Sequence, residues 1–260
     1  MWPILWVPRS KPSRRRARRS SIAVAAPARI YTAFEVSRMA MEAAWLTAVQ
    51  PFGLGAMGDG SAVLCVPGFG ADDGSLSPLR SALEKHGYEP LGWKLGPNIA
   101  TPSQFRRLCS QVVHEAEVRE KPISLIGHSL GGLYARELAR LHPTSVRCVV
   151  TLGSPLRYRA GDRTAVGVIP RHGLKLPGSG TPEGRRPRLK MPSLSIYSMS
   201  DGLVRPELCK AIEGPLSSNV EVVSSHLGLP FNSVALKHML TFLDSSSRAP
   251  AATNRRRPRS

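Results

Sequence analysis

One serine in this chain of 260 residues stands between two glycines, where an apolar run turns into an amphipathic segment. The stretch reads Ser124-Leu125-Ile126-Gly127-His128-Ser129-Leu130-Gly131, and Leu133, Ala135, Leu138, Ala139 and Leu141 follow at helical spacing. Gly-x-Ser-x-Gly on a strand-to-helix turn lifts the serine hydroxyl above the sheet edge, and its small residues let strand and helix approach closely. The helix N-terminus behind the serine favours developing negative charge. Ser129 is therefore the candidate nucleophile, with Gly127, His128 and Gly131 as supports of the turn. The bland alternative is a glycine-rich turn with an incidental serine.

A serine hydroxyl needs a base, and the base needs a third group to orient it. On a strand–turn–helix site of this kind the chain order is Ser, acid, His. After Ser129 the histidines are His142, His172, His226 and His238. His142 ends the helix that follows the serine, His172 lies in an irregular stretch, and His238 sits inside "VALKHMLTFL". His226 directly follows the apolar run "VEVVSS", at the carboxyl end of a predicted parallel strand, where ligand sites of α/β sheets form. His128 neighbours the serine on one turn and is read as structural support, not as the base. For the acid, "LSIYSMSDGLV" puts Asp201 just past a strand and before a turn glycine; Asp162 and Asp244 are its competitors. The bland alternative for Asp201 is an aspartate that caps its own loop.

Acyl transfer also needs N–H donors for the oxyanion. The N–H of Leu130 follows the nucleophile, and the loop "VPGFGADDG" supplies a second from Phe69. The adjacent Asp72 and Asp73 read as a helix-start feature, since no further ligand cluster joins them. No metal and no cofactor is implied.

Strands and helices must alternate to place these residues. Apolar runs at 62–69, 89–95, 122–127, 146–155, 192–202 and 219–225 read as strands. Helical stretches fill 75–87, 101–120, 132–143, 205–212 and 234–244. Gly87 stops the first of these, while Thr101 caps the second with Pro102 at its first position. Continuous apolar strands between helices predict a largely parallel sheet covered on both faces. Residues 32–50 predict a further helix, with Phe34, Met41, Ala44, Trp45 and Ala48 on one apolar face, packed against the body or else peripheral. Residues 156–191 break the rhythm with a long Gly/Pro-bearing, basic segment.

The net charge of +18 is concentrated at the ends. Residues 1–30 carry eight Lys or Arg and no acid, and residues 245–260 carry five more and no acid, which leaves +5 for the remainder. Such runs read as solvated tails with weak, salt-dependent contact to anionic surfaces, and no specific nucleic-acid partner is expected. Cys65, Cys109, Cys148 and Cys209 match no zinc spacing and read as free thiols, which favours a reducing compartment. The apolar "MWPILWV" precedes the charged run, the reverse of a secretory signal. A cytoplasmic location is expected, with association to a membrane surface through the tails as the alternative. No run is long enough to predict a transmembrane helix.

In order along the chain, "VLCVPGFGA", "LIGHSLGGLYAR", "TLGSP", "IYSMSDGLV" and "SSHLGLPFN" resemble the α/β-hydrolase superfamily, and within it the bacterial lipase- and esterase-like serine hydrolases. Where many such relatives have His-Gly in the oxyanion loop, this chain has Pro67-Gly68. The resemblance covers residues 60–245. It implies an α/β-hydrolase domain over 31–246, flanked by tails at 1–30 and 247–260, with 156–191 in the cap or lid position. The basic, Pro/Gly-rich composition of that segment is unlike an amphipathic lid helix. The implied activity is cleavage of small-molecule or lipid carboxylic esters by Ser129, His226 and Asp201. An acyltransferase with the same triad is the first alternative. A non-catalytic hydrolase-fold protein that binds nucleic acid or membrane through its tails is the second.

Overall fold

The structure is a computed structural model, and it describes residues 25–49, 57–157, 164 and 186–248. Both tails, apart from their inner ends, and most of the 156–191 segment lie outside the described residues.

Six strands form one fully parallel sheet in the order β2-β1-β3-β4-β5-β6. They are β1 (Ala62–Val66), β2 (Glu89–Leu91), β3 (Ile123–His128), β4 (Val146–Leu152), β5 (Ser193–Ser198) and β6 (Ser217–Val222). The helices are α1 (Arg29–Ala33), α2 (Glu35–Val49), α3 (Ser77–Lys85), α4 (Pro102–Val118), α5 (Leu130–Leu141), α6 (Pro206–Cys209) and α7 (Ser233–Arg248). The expected α/β fold is thus present, with β2 shorter than the 89–95 run and β6 starting two residues earlier than predicted.

Alternation along the strands explains the double-sided core. Val63 and Cys65 of β1 join Leu79 and Leu83 of α3, Leu46 of α2, and Leu236, Met239, Leu240 and Leu243 of α7. Ala62, Leu64 and Val66 point the other way, to Phe105, Leu108 and Val112 of α4 and Tyr134, Ala135 and Leu138 of α5. All five residues of β1 are buried, which is why its sequence is apolar throughout. The cap signals also hold: Thr101 accepts from the Gln104 N–H in a capping box, and Gly87 takes φ +78° just past α3.

The helix at the N-terminus differs from its prediction. Phe34, Met41 and Trp45 are 56%, 71% and 62% exposed, and Ala44 and Ala48 are exposed too. The face turned inward holds Glu35, Arg38, Met39, Glu42, Ala43 and Leu46 instead. Leu46, Met39 and Ala43 pack on the core, while Glu35, Arg38 and Glu42 meet polar loops at the sheet's carboxyl end. Buried main-chain N–H groups need acceptors, and this demand outweighs the burial of a few apolar side chains. Among the described residues no helix is long and apolar enough to cross a membrane.

Candidate active site

Parallel strands put their carboxyl ends on one edge, and the sequence places Ser129, Asp201 and His226 just past three of them. Ser129 joins β3 to α5 with φ +52° and ψ −118°, a conformation costly for a residue with a side chain. Its N–H donates to Leu152 O of β4 at 2.8 Å, and its C=O accepts from Gly132 at 3.1 Å. The turn is too tight for side chains on either flank. A Cβ on Gly127 would come within 2.4 Å of Gly131 main-chain atoms, and one on Gly131 within 2.1 Å of Val66 O. The half-exposed serine thus sits on a strained turn at the start of a 12-residue helix.

Asp201 and His226 meet below the surface. His226 Nδ1 lies 2.6 Å from Asp201 Oδ2, with both residues 2% exposed. The other carboxylate oxygen, Oδ1, accepts from the N–H groups of Leu203 (2.8 Å) and Val204 (2.7 Å). Asp201 therefore caps its own loop and holds the imidazole at once. With Nδ1–H donated to the carboxylate, Nε2 is left as the basic nitrogen. Burial pushes the His226 pKa down, but the Asp201 charge and hydrogen bond push it up, with help from Glu35, and the net shift is upward. Gly153, at φ +57° past β4, leaves room for the ring: a Cβ there would approach Nδ1 to 3.0 Å.

His128 is buried beside this pair. Its Nε2 donates to His226 O at 2.9 Å, and the two rings are 5.0 Å apart. Burial, then the neighbouring His226 charge, lower its pKa to about 3, so it is a neutral strut for the histidine loop.

The loop after β1 passes over the serine, where a Cβ on Gly68 would lie 3.3 Å from Ser129 Cβ. Phe69 follows it with a largely exposed side chain. Asn98 Nδ2 holds Pro67 O at 2.9 Å, and Gly70 N–H donates to Asn98 O at 2.8 Å, so Asn98 clips this loop on both sides of Phe69. Asp72 and Asp73 are occupied as loop acceptors: Asp72 takes the Gly74 N–H, and Asp73 the N–H groups of Trp93 and Lys94.

The rejected histidines lie elsewhere. His142 ends α5, and His238 is exposed on α7. His172 and Asp162 fall outside the described residues. What sequence reasoning missed is Glu35. It is 3% exposed and accepts from the N–H groups of Gly202 (2.6 Å), His226 (3.0 Å) and Leu227 (3.0 Å). Glu42, two turns on, accepts from the Ser225 N–H at 2.7 Å and from the Ser224 and Ser225 hydroxyls. Their seven-residue spacing is the one available signal, because it places two acids on one helical face.

A family model described as alpha/beta hydrolase fold matches residues 62–177. No curated protein matches the chain. Among solved structures, Aspergillus fumigatus lipase B superposes with TM-score 0.57 at 15% identity, over 74% of this chain and 57% of its own. A Paleococcus ferrophilus monoacylglycerol lipase gives TM-score 0.51 at 16% identity, over 72% of this chain and 97% of its own. The type II thioesterase BorB from the borrelidin biosynthetic cluster gives 0.51 at 18%, over 73% and 94%. At these identities the likeness is one of fold. The parallel sheet, the strained serine turn past its third strand and the match over residues 62–177 show that this chain has the α/β-hydrolase fold.

Proposed function

We propose that the chain is a serine hydrolase of carboxylic esters, with Ser129 as nucleophile, His226 as general base and Asp201 as its orienting acid. The observation that carries this reading is the buried 2.6 Å contact between His226 Nδ1 and Asp201 Oδ2, which leaves Nε2 basic at the edge where Ser129 stands on a strained turn. Ser129 Oγ bonds to the ester carbonyl carbon as its proton passes to Nε2. The oxyanion accepts from the N–H groups of Phe69 and Leu130, neither of which donates to another group among the described residues. The tetrahedral species collapses, the C–O bond to the alcohol breaks, and the alcohol leaves with the proton from His226. Water then gives a proton to Nε2 and attacks the acyl-enzyme, which releases the acid and restores Ser129.

Labelling with a fluorophosphonate tests this. Attack by Ser129 Oγ forms a P–O bond, expels fluoride and leaves a stable adduct, read by intact mass. One adduct is expected on the wild type and none on Ser129→Ala, whose ester turnover falls at least about 10³-fold. A Ser129→Ala chain that still turns over esters at the wild-type rate overturns the assignment.

A further inference from the structure

We propose that Glu35 is a positioning residue of the site, its carboxylate tying the acid loop to the histidine loop from a helix that precedes the whole sheet. The inference rests on the triad reading above. It starts from the donors. Gly202 follows Asp201 directly, and the main chains of His226 and Leu227 carry the imidazole. Glu35 Oε1 takes the N–H groups of Gly202 and His226, and Oε2 takes that of Leu227. Gly202 and His226 therefore share a single oxygen atom. The distance between the two loops is set through it, independently of the Asp201–His226 contact.

Side chains of α1 and of the inward face of α2 work to the same end. Thr32 Oγ1 donates to Gly202 O at 2.6 Å, and Arg38 donates to Ser200 O at 2.7 Å and to Ser200 Oγ at 2.8 Å. Those three contacts fix the acid loop on both sides of Asp201. Glu42 fixes Ser225, the residue before His226, and takes Asn232 Nδ2 at 3.2 Å. A Cβ on Gly228 would strike the Glu42 carboxyl at 2.5 Å, so the histidine loop lies directly against the helix. α2 spends two acids and an arginine on two loops, with Thr32 of α1 beside them, while Met41 and Trp45 face outward, so it is placed for the loops as well as for the core.

Charge gives the proposal a readout that mere support of the fold does not have. The titratable and charged groups around the His226 ring and its main chain are Asp201 from the β5 loop, His128 from the end of β3, and Glu35 and Glu42 from α2, with Arg38 behind Asp201 at Ser200. A negative Glu35 favours the protonated ring. Its neutralisation lowers the His226 pKa, so the acid limb of kcat/KM moves to lower pH. The plateau falls at the same time, because the imidazolium of the transition state loses a counter-charge and the loops lose a shared acceptor.

The experiment compares wild type, Glu35→Gln and Glu35→Asp as full-length chains. It reads kcat and KM on a soluble ester, the pH profile of kcat/KM, and the rate of fluorophosphonate labelling at Ser129. Glu35→Gln is expected to lose between about tenfold and about hundredfold in kcat with KM nearly unchanged, and to shift the acid limb downward. Glu35→Asp restores the charge on a shorter arm, so it returns the limb to its wild-type position while regaining only part of kcat. A Glu35→Gln chain with wild-type kcat overturns the proposal. So does one whose Tm and kcat fall with the limb unmoved, since that is loss of scaffold alone. Should Glu35→Gln not fold, Glu35→Asp decides: a wild-type kcat in that variant overturns the proposal. Failure of the triad reading is separable, because it shows as a wild-type chain with no adduct at Ser129.

Discussion

Asp201 gives its two oxygens different tasks, and that division is what a substitution exposes. In Asp201→Asn, Oδ1 can stay on the Leu203 and Val204 N–H groups while the amide nitrogen faces His226 Nδ1. The ring must then take the other tautomer, with its proton on Nε2. Turnover is expected to fall about 10⁴-fold with the fold retained, checked by kcat beside near-UV circular dichroism. His128 answers to pH in a different way. Its folded pKa, about 3, lies far below the ordinary 6.5, so the unfolded chain takes up the proton first. The stability it contributes is complete above pH 6.5 and is lost as pH falls toward 3. His226, shifted upward, acts in the opposite sense and contributes least once pH rises through its folded value. Urea midpoints of wild type and His128→Gln between about pH 7 and pH 4 are expected to converge as pH falls. The places of Ser129, Asp201 and His226 past strand ends were legible because each follows a run with strand character. Glu35 carries no such local mark, since its partners lie 167, 191 and 192 residues away.

At the scale of the element, α2 is the instructive case. Periodicity located the helix and assigned the wrong face, because counting apolar residues cannot register a demand from buried amides elsewhere in the chain. The correction has a measurable form. Leu46, 2% exposed in the core, is expected to cost about 2–5 kcal/mol when cut to Ala, a clear drop in Tm. Met41, 71% exposed on the face first assigned to the core, is expected to cost within about 0.5 kcal/mol when cut to Ala. Equal losses from the two would contradict the orientation of the helix. Where the signal was local, as in the Thr101 capping box and the glycine past α3, sequence and structure agree. The run of β1 was legible for the same reason, since burial on both faces leaves a continuous apolar record there, whereas β5 buries Ser193, Ser195 and Ser198 beside Leu194, Ile196 and Tyr197.

For the molecule as a whole, the charge and the chemistry occupy different parts of the chain. Every residue assigned to the site falls between positions 32 and 232, whereas most of the basic excess lies nearer the ends. Arg14, Arg15, Arg16, Arg18 and Arg19 changed together to Gln remove five positive charges. Ester turnover is expected to stay at the wild-type level while the chain elutes from a cation exchanger at lower salt. A loss of turnover in that variant would tie the N-terminal tail to catalysis. The order in which the chain is made sets a further constraint. Glu35 emerges from the ribosome 191 residues ahead of His226, a lag of roughly ten to forty seconds at ordinary elongation rates. For the first 167 of those residues α2 has its acids ready and neither loop to receive them, although β1, β3 and β4 can already pair. The histidine loop therefore joins the proposed site only after the first five strands have been made. A nascent chain stalled before β6 carries most of the α/β-hydrolase scaffold without His226, the base in the proposed mechanism.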